Sequence, residues 1–302
     1  MIVRWGIDEL PGVLEELGVG TPFLVASPRW EGRFENSARW SEIPSHRVAV
    51  PPGVDGILAV GGGSAIDTAK AASAASGLPL VSVPTTYSGS EWTPYYGVRS
   101  PDRRMVGGGA GARLAGIVYE PELTIELPRA ESGSTAMNAL AHCVEALYPG
   151  DLEEARRGAA GIEEWLPRVL ADLGNLEART RLLEAARCAG EALAKHGLYL
   201  GHAMAQALGG RYGLPHGALN SICLPAAMRF NAPVAPQAIE AVPIETVEEL
   251  ARLTGFTRLR DLGVPEDELD EVAEATAVRP GARANPRPAS AGEIAALFRS
   301  VW

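Results

Sequence analysis

Five histidines occur in 302 residues, and three of them stand in stretches whose spacing suits chemistry. The segment His202 to His216 reads His-Ala-Met-Ala-Gln-Ala-Leu-Gly-Gly-Arg-Tyr-Gly-Leu-Pro-His, with Gln206 one helical turn after His202 and on the same face if the segment is helical. Upstream, Asn138 to His142 repeats the four-residue spacing. With His142 and His202 on separate helical segments and His216 in a Leu-Pro-His-Gly turn, three imidazoles meeting at a point would suit a divalent metal. The fourth position falls to Asn138, whose amide oxygen is a neutral, weak ligand where an aspartate would balance the charge. The bland alternative is that each is a half-buried polar residue on a helix; His46 and His196 stand apart and are read as surface or packing residues.

A second chemistry-bearing pattern lies in the first half. The apolar run 55–60 leads into Gly61-Gly62-Gly63-Ser64 and then into Ala65 to Ser76, an alanine-rich helix former. Strand, glycine turn and helix aim backbone N–H groups and a positive dipole end at phosphate, and glycine permits close approach of the anion. The pattern is neither GxGxxG nor a Walker loop, so a pyrophosphate cradle and a plain tight turn both remain open. Leu80 to Pro84 forms another short strand, ending in the hydroxyl-rich loop Thr85-Thr86-Tyr87-Ser88-Gly89-Ser90-Glu91. That is the end of a strand at which open α/β sheets bind ligands. No GxSxG elbow is present, and carboxylate pairs such as Glu163-Glu164 sit on polar faces.

The elements that must position these residues divide into two kinds. Asp8 to Leu17 reads as a helix, residues 21–27 as a buried parallel strand, Arg47 to Val50 as a second strand, 94–107 as a hairpin and Leu114 to Tyr119 as a further strand. After Leu127-Pro128 the segments 133–148, 152–173, 176–196 and 198–209, then 246–254, 266–276 and 290–300, carry helical spacing, while Pro280 to Pro288 reads as extended. The expectation is an α/β domain with a mostly parallel sheet over 1–127 and an all-α domain over 128–302. A net charge of −10 with no basic stripe argues against nucleic acid. No run approaches a membrane span, and Cys143, Cys188 and Cys223 lack metal-finger or CxxC spacing, so a cytoplasmic chain with three reduced core thiols is expected. A homodimer is the default expectation for such an enzyme.

These stretches resemble the iron-containing alcohol dehydrogenase superfamily and are most similar to its maleylacetate reductases. The residues that carry the resemblance are Gly61 to Lys70, Pro84 to Pro94, Tyr119 to Leu123, Asn138 to Tyr148, Leu208-Gly209-Gly210 with Leu214-Pro215-His216, and Asn285-Pro286-Arg287-Pro288. The resemblance implies the dehydroquinate synthase-like fold of that family, with an N-terminal nucleotide-binding domain, a helical substrate and catalytic domain, and hydride transfer in the cleft between them. It implies NAD(P)H on Gly61, Gly62, Gly63 and Ser64 with Asp67 close by, and on Thr85, Thr86 and Ser88. In metal-dependent relatives the ligands would be an aspartate at position 138 with His142, His202 and His216; Asn138 matches the metal-independent reductases, in which the histidines bind and polarise the substrate.

Two departures follow. Position 206, usually a histidine near the nicotinamide, is Gln206, which cannot shuttle a proton near neutral pH, so proton delivery falls to His142, His202, His216, Tyr87 or water. The interval between the strand end at Ala26-Ser27 and Gly61 is short, implying that at least one βα unit is trimmed, and Ser27 near the ribose leaves NAD and NADP open. The expected activity is NAD(P)H-dependent reduction of a small carboxylated unsaturated or keto substrate, with Arg211 or Arg104 as the carboxylate partner. The alternatives are an Fe- or Zn-dependent alcohol dehydrogenase and a nucleotide-binding relative without activity.

Overall fold

The computed structural model describes residues 1–302, which form two compact units, Met1–Leu127 and Pro128–Trp302. The first is built on a six-stranded, all-parallel sheet in the order β1-β8-β5-β4-β2-β3. Its strands are β1 (Ile2–Trp5), β2 (Pro22–Ala26), β3 (Ala38–Trp40), β4 (Gly56–Gly61), β5 (Pro79–Pro84) and β8 (Arg113–Tyr119). Every residue of β2 and β4 is buried, as their unbroken apolar runs require of strands covered on both faces. On one face α1 (Leu10–Glu16), Trp30 and Phe34 cover Leu24, Leu58 and Val81; on the other α2 (Gly63–Ser76) and the coil residues Ile43, Val48 and Val50 cover Phe23, Ile57 and Leu80.

Chain direction reverses at one place. From β2 the chain moves outward to β3, whereas from β4 it moves the other way to β5, so the switch point lies between β2 and β4. The glycine turn therefore follows a strand at the position where doubly wound sheets open their ligand crevice. β6 (Tyr96–Arg99) and β7 (Met105–Gly109) form the hairpin expected over 94–107.

One expectation is corrected in this unit, and two further features emerge. Arg47 to Val50 is coil; the edge strand is Ala38–Trp40, in which Ala38 and Trp40 face the core and Arg39 the opposite side. The short interval before Gly61 holds the strand β3 but no α-helix: the connection between β2 and β3 contains only a single 3-10 turn, Pro28–Trp30, and that between β3 and β4 no helix at all. Trp30 and Phe34, packed edge to face at 6.1 Å, fill the space a crossover helix would occupy. The N-terminal strand β1 was not anticipated, because its partner β8 lies more than a hundred residues away.

The second unit is all helical: α3 (Arg129–Ala146), α4 (Glu153–Ala171), α5 (Leu176–His196), α6 (Leu200–Tyr212), α7 (His216–Asn231), α8 (Pro236–Ala241), α9 (Ile244–Thr254), α10 (Leu269–Ala277), α11 (Pro280–Ala284) and α12 (Ala291–Ser300). Pro280 to Pro288 is thus not wholly extended, since Pro280 starts a short helix at a position that needs no N–H donor. α3 is central; it packs on α4, α5 and α7 and is buried almost throughout from Ser132 onward. α5 starts under an Asn175 cap and α12 under a Ser290–Glu293 capping box. Cys143, Cys188 and Cys223 are free and buried. No helix is long and apolar enough to cross a membrane.

Candidate functional site

Polar residues on a buried helix must be paired, and α3 carries three at i, i+4 and i+7: Asn138, His142 and Glu145. This spacing sets all of them on one face. His202 is the third residue of α6, and His216 is the first residue of α7 rather than part of a turn. Gly217 explains how α7 gets close enough: a Cβ there would lie 2.3 Å from the Ser134 carbonyl oxygen, so the first turn of α7 rests on the α3 backbone. The result is a cluster in which the His142 and His202 rings stack with centroids 4.7 Å apart and 14° between planes, and the His202 and His216 centroids are 5.6 Å apart.

Two residues that the sequence reading passed over organise this cluster. Glu145, fully buried, accepts hydrogen bonds from the Tyr199 N–H at 2.6 Å and the His202 N–H at 3.1 Å, and its Oε2 lies 2.8 Å from His202 Nδ1. It caps the start of α6 and fixes the His202 ring, leaving Nε2 buried with no protein partner. Asn220, one turn into α7, donates from Nδ2 to Asn138 Oδ1 at 2.6 Å, and the same nitrogen lies 3.1 Å from His216 Nε2. Asn138 Nδ2 lies 3.5 Å from His142 Nε2. Burial, with smaller contributions from His202 and His216, holds His142 well below the ordinary histidine pKa, so its ring is neutral. Glu145 stands three residues after His142 in an apolar run, and Asn220 stands four after His216; the second spacing was hidden while His216 was read as a turn residue.

Gln206, one turn beyond His202 on α6, is half-buried and makes no side-chain hydrogen bond. The Arg211 guanidinium pairs with Glu268 at 2.6 Å and Glu271 at 2.8 Å, carboxylates just before and within the first turn of α10. Arg104 pairs with Asp102 at 3.6 Å on the exposed hairpin.

In the first unit, β4 and β5 end side by side, Gly61 opposite Pro84, and the Thr85 N–H donates to the Gly61 carbonyl at 3.1 Å. Gly61 has φ +148°, and a Cβ there would meet Ala65 at 2.8 Å, so only glycine makes this turn. α2 begins at Gly62 without a side-chain cap. Thr86 Oγ1 donates to Ser88 Oγ at 3.3 Å beside it. Asp67 is spoken for: it accepts from Ser90 Oγ at 2.9 Å, Lys70 Nζ at 3.4 Å and the Gly97 N–H at 3.3 Å. Lys70, almost fully buried, also donates to Ser90 and to the Tyr95 carbonyl at 2.9 Å. Burial lowers the Lys70 pKa, opposed by Asp67. Tyr87 is buried within the same unit, its hydroxyl 3.5 Å from Thr124 Oγ1.

The pairing of a phosphate-type turn with a three-imidazole helical cluster recurs in known proteins. Residues 132–302 match the family described as "Fe-containing alcohol dehydrogenase family, C-terminal", and residues 46–112 match "Iron-containing alcohol dehydrogenase". The chain belongs to the iron-containing alcohol dehydrogenase family. It is similar to the maleylacetate reductase of Pseudomonas sp. (strain P51), 34% identical over 269 residues that cover 84% of this chain and 76% of the relative. Its fold is similar to the iron-containing alcohol dehydrogenase of Corynebacterium glutamicum (27% identity, TM-score 0.89, 100% of this chain and 94% of the other). It is similar also to the maleylacetate reductase of Agrobacterium tumefaciens (26%, 0.87, 100% and 95%). As a member of this family the chain is an NAD(P)-dependent oxidoreductase.

Both groups that the family implies can be tested against this geometry. The glycine turn fits a dinucleotide diphosphate: α2 offers an N-terminus without a side-chain cap, and a Cβ on Gly62 would lie 2.7 Å from Thr86 Cγ2. The donor set of the imidazole cluster is a poor one for iron or zinc, because Asn138 stands where a carboxylate would balance the charge. The ring Nε2 atoms of His142 and His216 face amide nitrogens, and the Asn138 oxygen is taken by Asn220.

Proposed function

We propose that this oxidoreductase reduces a small carboxylated substrate, unsaturated or keto, with its histidine cluster as the polarising group and without a metal. NAD(P)H, when bound, supplies the hydride. Gly62, Gly63 and Ser64 at the start of α2, with Gly61 shaping the turn and Thr85, Thr86 and Ser88 beside it, are the residues proposed to hold its diphosphate. Asp67 supports this loop through Ser90.

The observation that carries the reading is that one cluster gathers several buried side-chain atoms without protein partners, among them the ring nitrogens His142 Nδ1 and His202 Nε2. Buried polar groups left open in this way await a partner. A substrate carbonyl or enolate oxygen there would have its developing negative charge stabilised by imidazole donors placed before the reaction. His202, held at Nδ1 by Glu145 with Nε2 open, is the residue proposed to pass a proton to the substrate. Gln206 accompanies the cluster as a hydrogen-bonding group.

Maleylacetate, the substrate named for the similar reductases, is the first compound to assay, together with simple 2-keto and 4-keto acids. Oxidation of NADH or NADPH should be followed at 340 nm before and after exhaustive chelation. The proposal expects turnover of a carboxylated carbonyl compound, unchanged by chelator; loss of turnover with chelator, restored by Zn²⁺ or Fe²⁺, would overturn it.

A further inference from the structure

Resting on the metal-free reading above, we propose that Asn220 is a positioning residue which, through Asn138, sets the tautomers of His216 and His142 together. The two rings then present N–H groups to the substrate in place of lone pairs. An amide nitrogen carries two hydrogens and no lone pair. Asn220 Nδ2 spends one on Asn138 Oδ1 at 2.6 Å and the other toward His216 Nε2 at 3.1 Å. His216 Nε2 must therefore accept, which puts the ring proton on Nδ1.

The same contact orients the next amide. Because Asn138 Oδ1 is an acceptor for Asn220, its Nδ2 is turned toward His142 Nε2; at 3.5 Å this is the longest link. His142 Nε2 accepts in turn, and its ring proton also sits on Nδ1. That nitrogen is buried with no protein acceptor, which is the expected state of a donor waiting for substrate oxygen. Asn138 and Asn220 are both buried, so water does not compete for the relay.

The sense of the relay is fixed by what each arrangement leaves unpaired. Once a substrate oxygen accepts from the ring N–H groups, the relay as drawn leaves one acceptor idle, Asn220 Oδ1. Turning both amides around would reverse both tautomers, aim ring lone pairs at the substrate oxygen and leave the two N–H groups of Asn220 unpaired. An aspartate at 138 could not take part, because a carboxylate has no hydrogen to give His142. The asparagine that removes a metal ligand thus also keeps His142 Nε2 occupied.

Long-range ¹H–¹⁵N spectra of the full-length protein labelled with [¹⁵N]histidine distinguish the tautomers without any turnover. The expected spectrum has His142 and His216 both protonated on Nδ1; protonation on Nε2 in either ring overturns the proposal. The variant Asn220→Asp keeps the side-chain size but accepts instead of donating. It should move the proton to Nε2 in both rings and lower kcat about 100-fold, the order expected for loss of a pre-organised donor, with NAD(P)H affinity by fluorescence within about two-fold. Unchanged tautomers in the variant would again overturn the relay. If the parent shows both Nδ1 protons yet reduces no carboxylated carbonyl compound, the functional reading fails while the relay stands.

Discussion

The Lys70 cluster of the parallel-sheet unit and the histidine cluster of the helical unit are finished differently. In the first, Lys70 spends its three donors on Asp67, Ser90 and the Tyr95 carbonyl, and Asp67 takes further bonds from Ser90 and Gly97. The charges are opposite and adjacent, and the bonds tie α2 to the segment 90–97. In the second the groups are mostly amides and imidazoles, and ring nitrogens of His142 and His202 are left open. A closed cluster stores structure; an open one, in a protein that could have closed it with one more serine or water-sized group, is where a substrate is expected. Glu145 is the exception that joins both styles, since it is fully occupied and yet sets the ring of His202.

The comparison breaks most visibly at Glu145. Glu145→Gln would present an amide N–H₂ toward the Tyr199 and His202 donors, leaving buried donors unpaired. Urea unfolding should show a loss of about 3 kcal/mol, and kcat should fall about 100-fold because His202 loses its carboxylate. A variant with parental activity would show that the His202–Glu145 contact is purely structural.

Asn138→Asp is the next largest. It restores a carboxylate among three imidazoles and frees His142 Nε2 from its amide neighbour. Zn²⁺ affinity by isothermal titration should rise about 100-fold over the parent, the scale on which ligand and near-ligand changes act. Equal affinity in the two proteins would mean that something other than residue 138 keeps metal out.

Lys70→Met tests the closed cluster. The substitution deprives the Tyr95 carbonyl and Ser90 of a buried donor and should cost about 2 kcal/mol in thermal or urea unfolding. Turnover at saturating NAD(P)H should stay within about three-fold, because nothing in this cluster is proposed to touch the reacting atoms. A large fall in kcat at saturation with little loss of stability would move Lys70 from scaffold to chemistry.

Much of this contrast was legible in the chain, for reasons that differ between the units. The glycine turn is a local pattern, since an apolar strand, three glycines and an alanine-rich helix are adjacent in sequence, and a parallel sheet with its switch point beside Gly61 follows from their order. His142 and His202 were readable because each stands four residues from a second polar residue, Asn138 and Gln206, in an otherwise small and apolar stretch. Asn220 and Glu145 were not, because their roles depend on which helices touch: Glu145 is 57 residues from His202, and Asn220 is 82 from Asn138. The edge strand β3 escaped for a related reason, as three residues with a central arginine carry no periodicity, and they are strand only because β2 lies alongside. The short interval before Gly61 reads as a trimmed βα unit, and in the structure it holds one short strand without a crossover helix. Trp30 and Phe34, which cover the sheet there, look in sequence like any loop aromatics.

The smallest expected effect separates the clusters by pH. His142 is neutral when folded because burial and two neighbouring imidazoles hold its pKa well below the ordinary value, whereas in the unfolded chain it protonates near pH 6.5. Above pH 6.5 both states are neutral and the group contributes no pH dependence. As the pH falls below 6.5 the unfolded chain takes up a proton that the folded protein refuses, so stability declines, by at most about 1.4 kcal/mol per pH unit for this one site. Urea midpoints measured between pH 7.5 and pH 5 should therefore slope downward in the parent, and less so in His142→Gln, which has nothing to titrate. Identical slopes in parent and variant would mean that His142 takes up its proton without unfolding, and the neutral cluster would have to be redrawn with a charged ring at its centre.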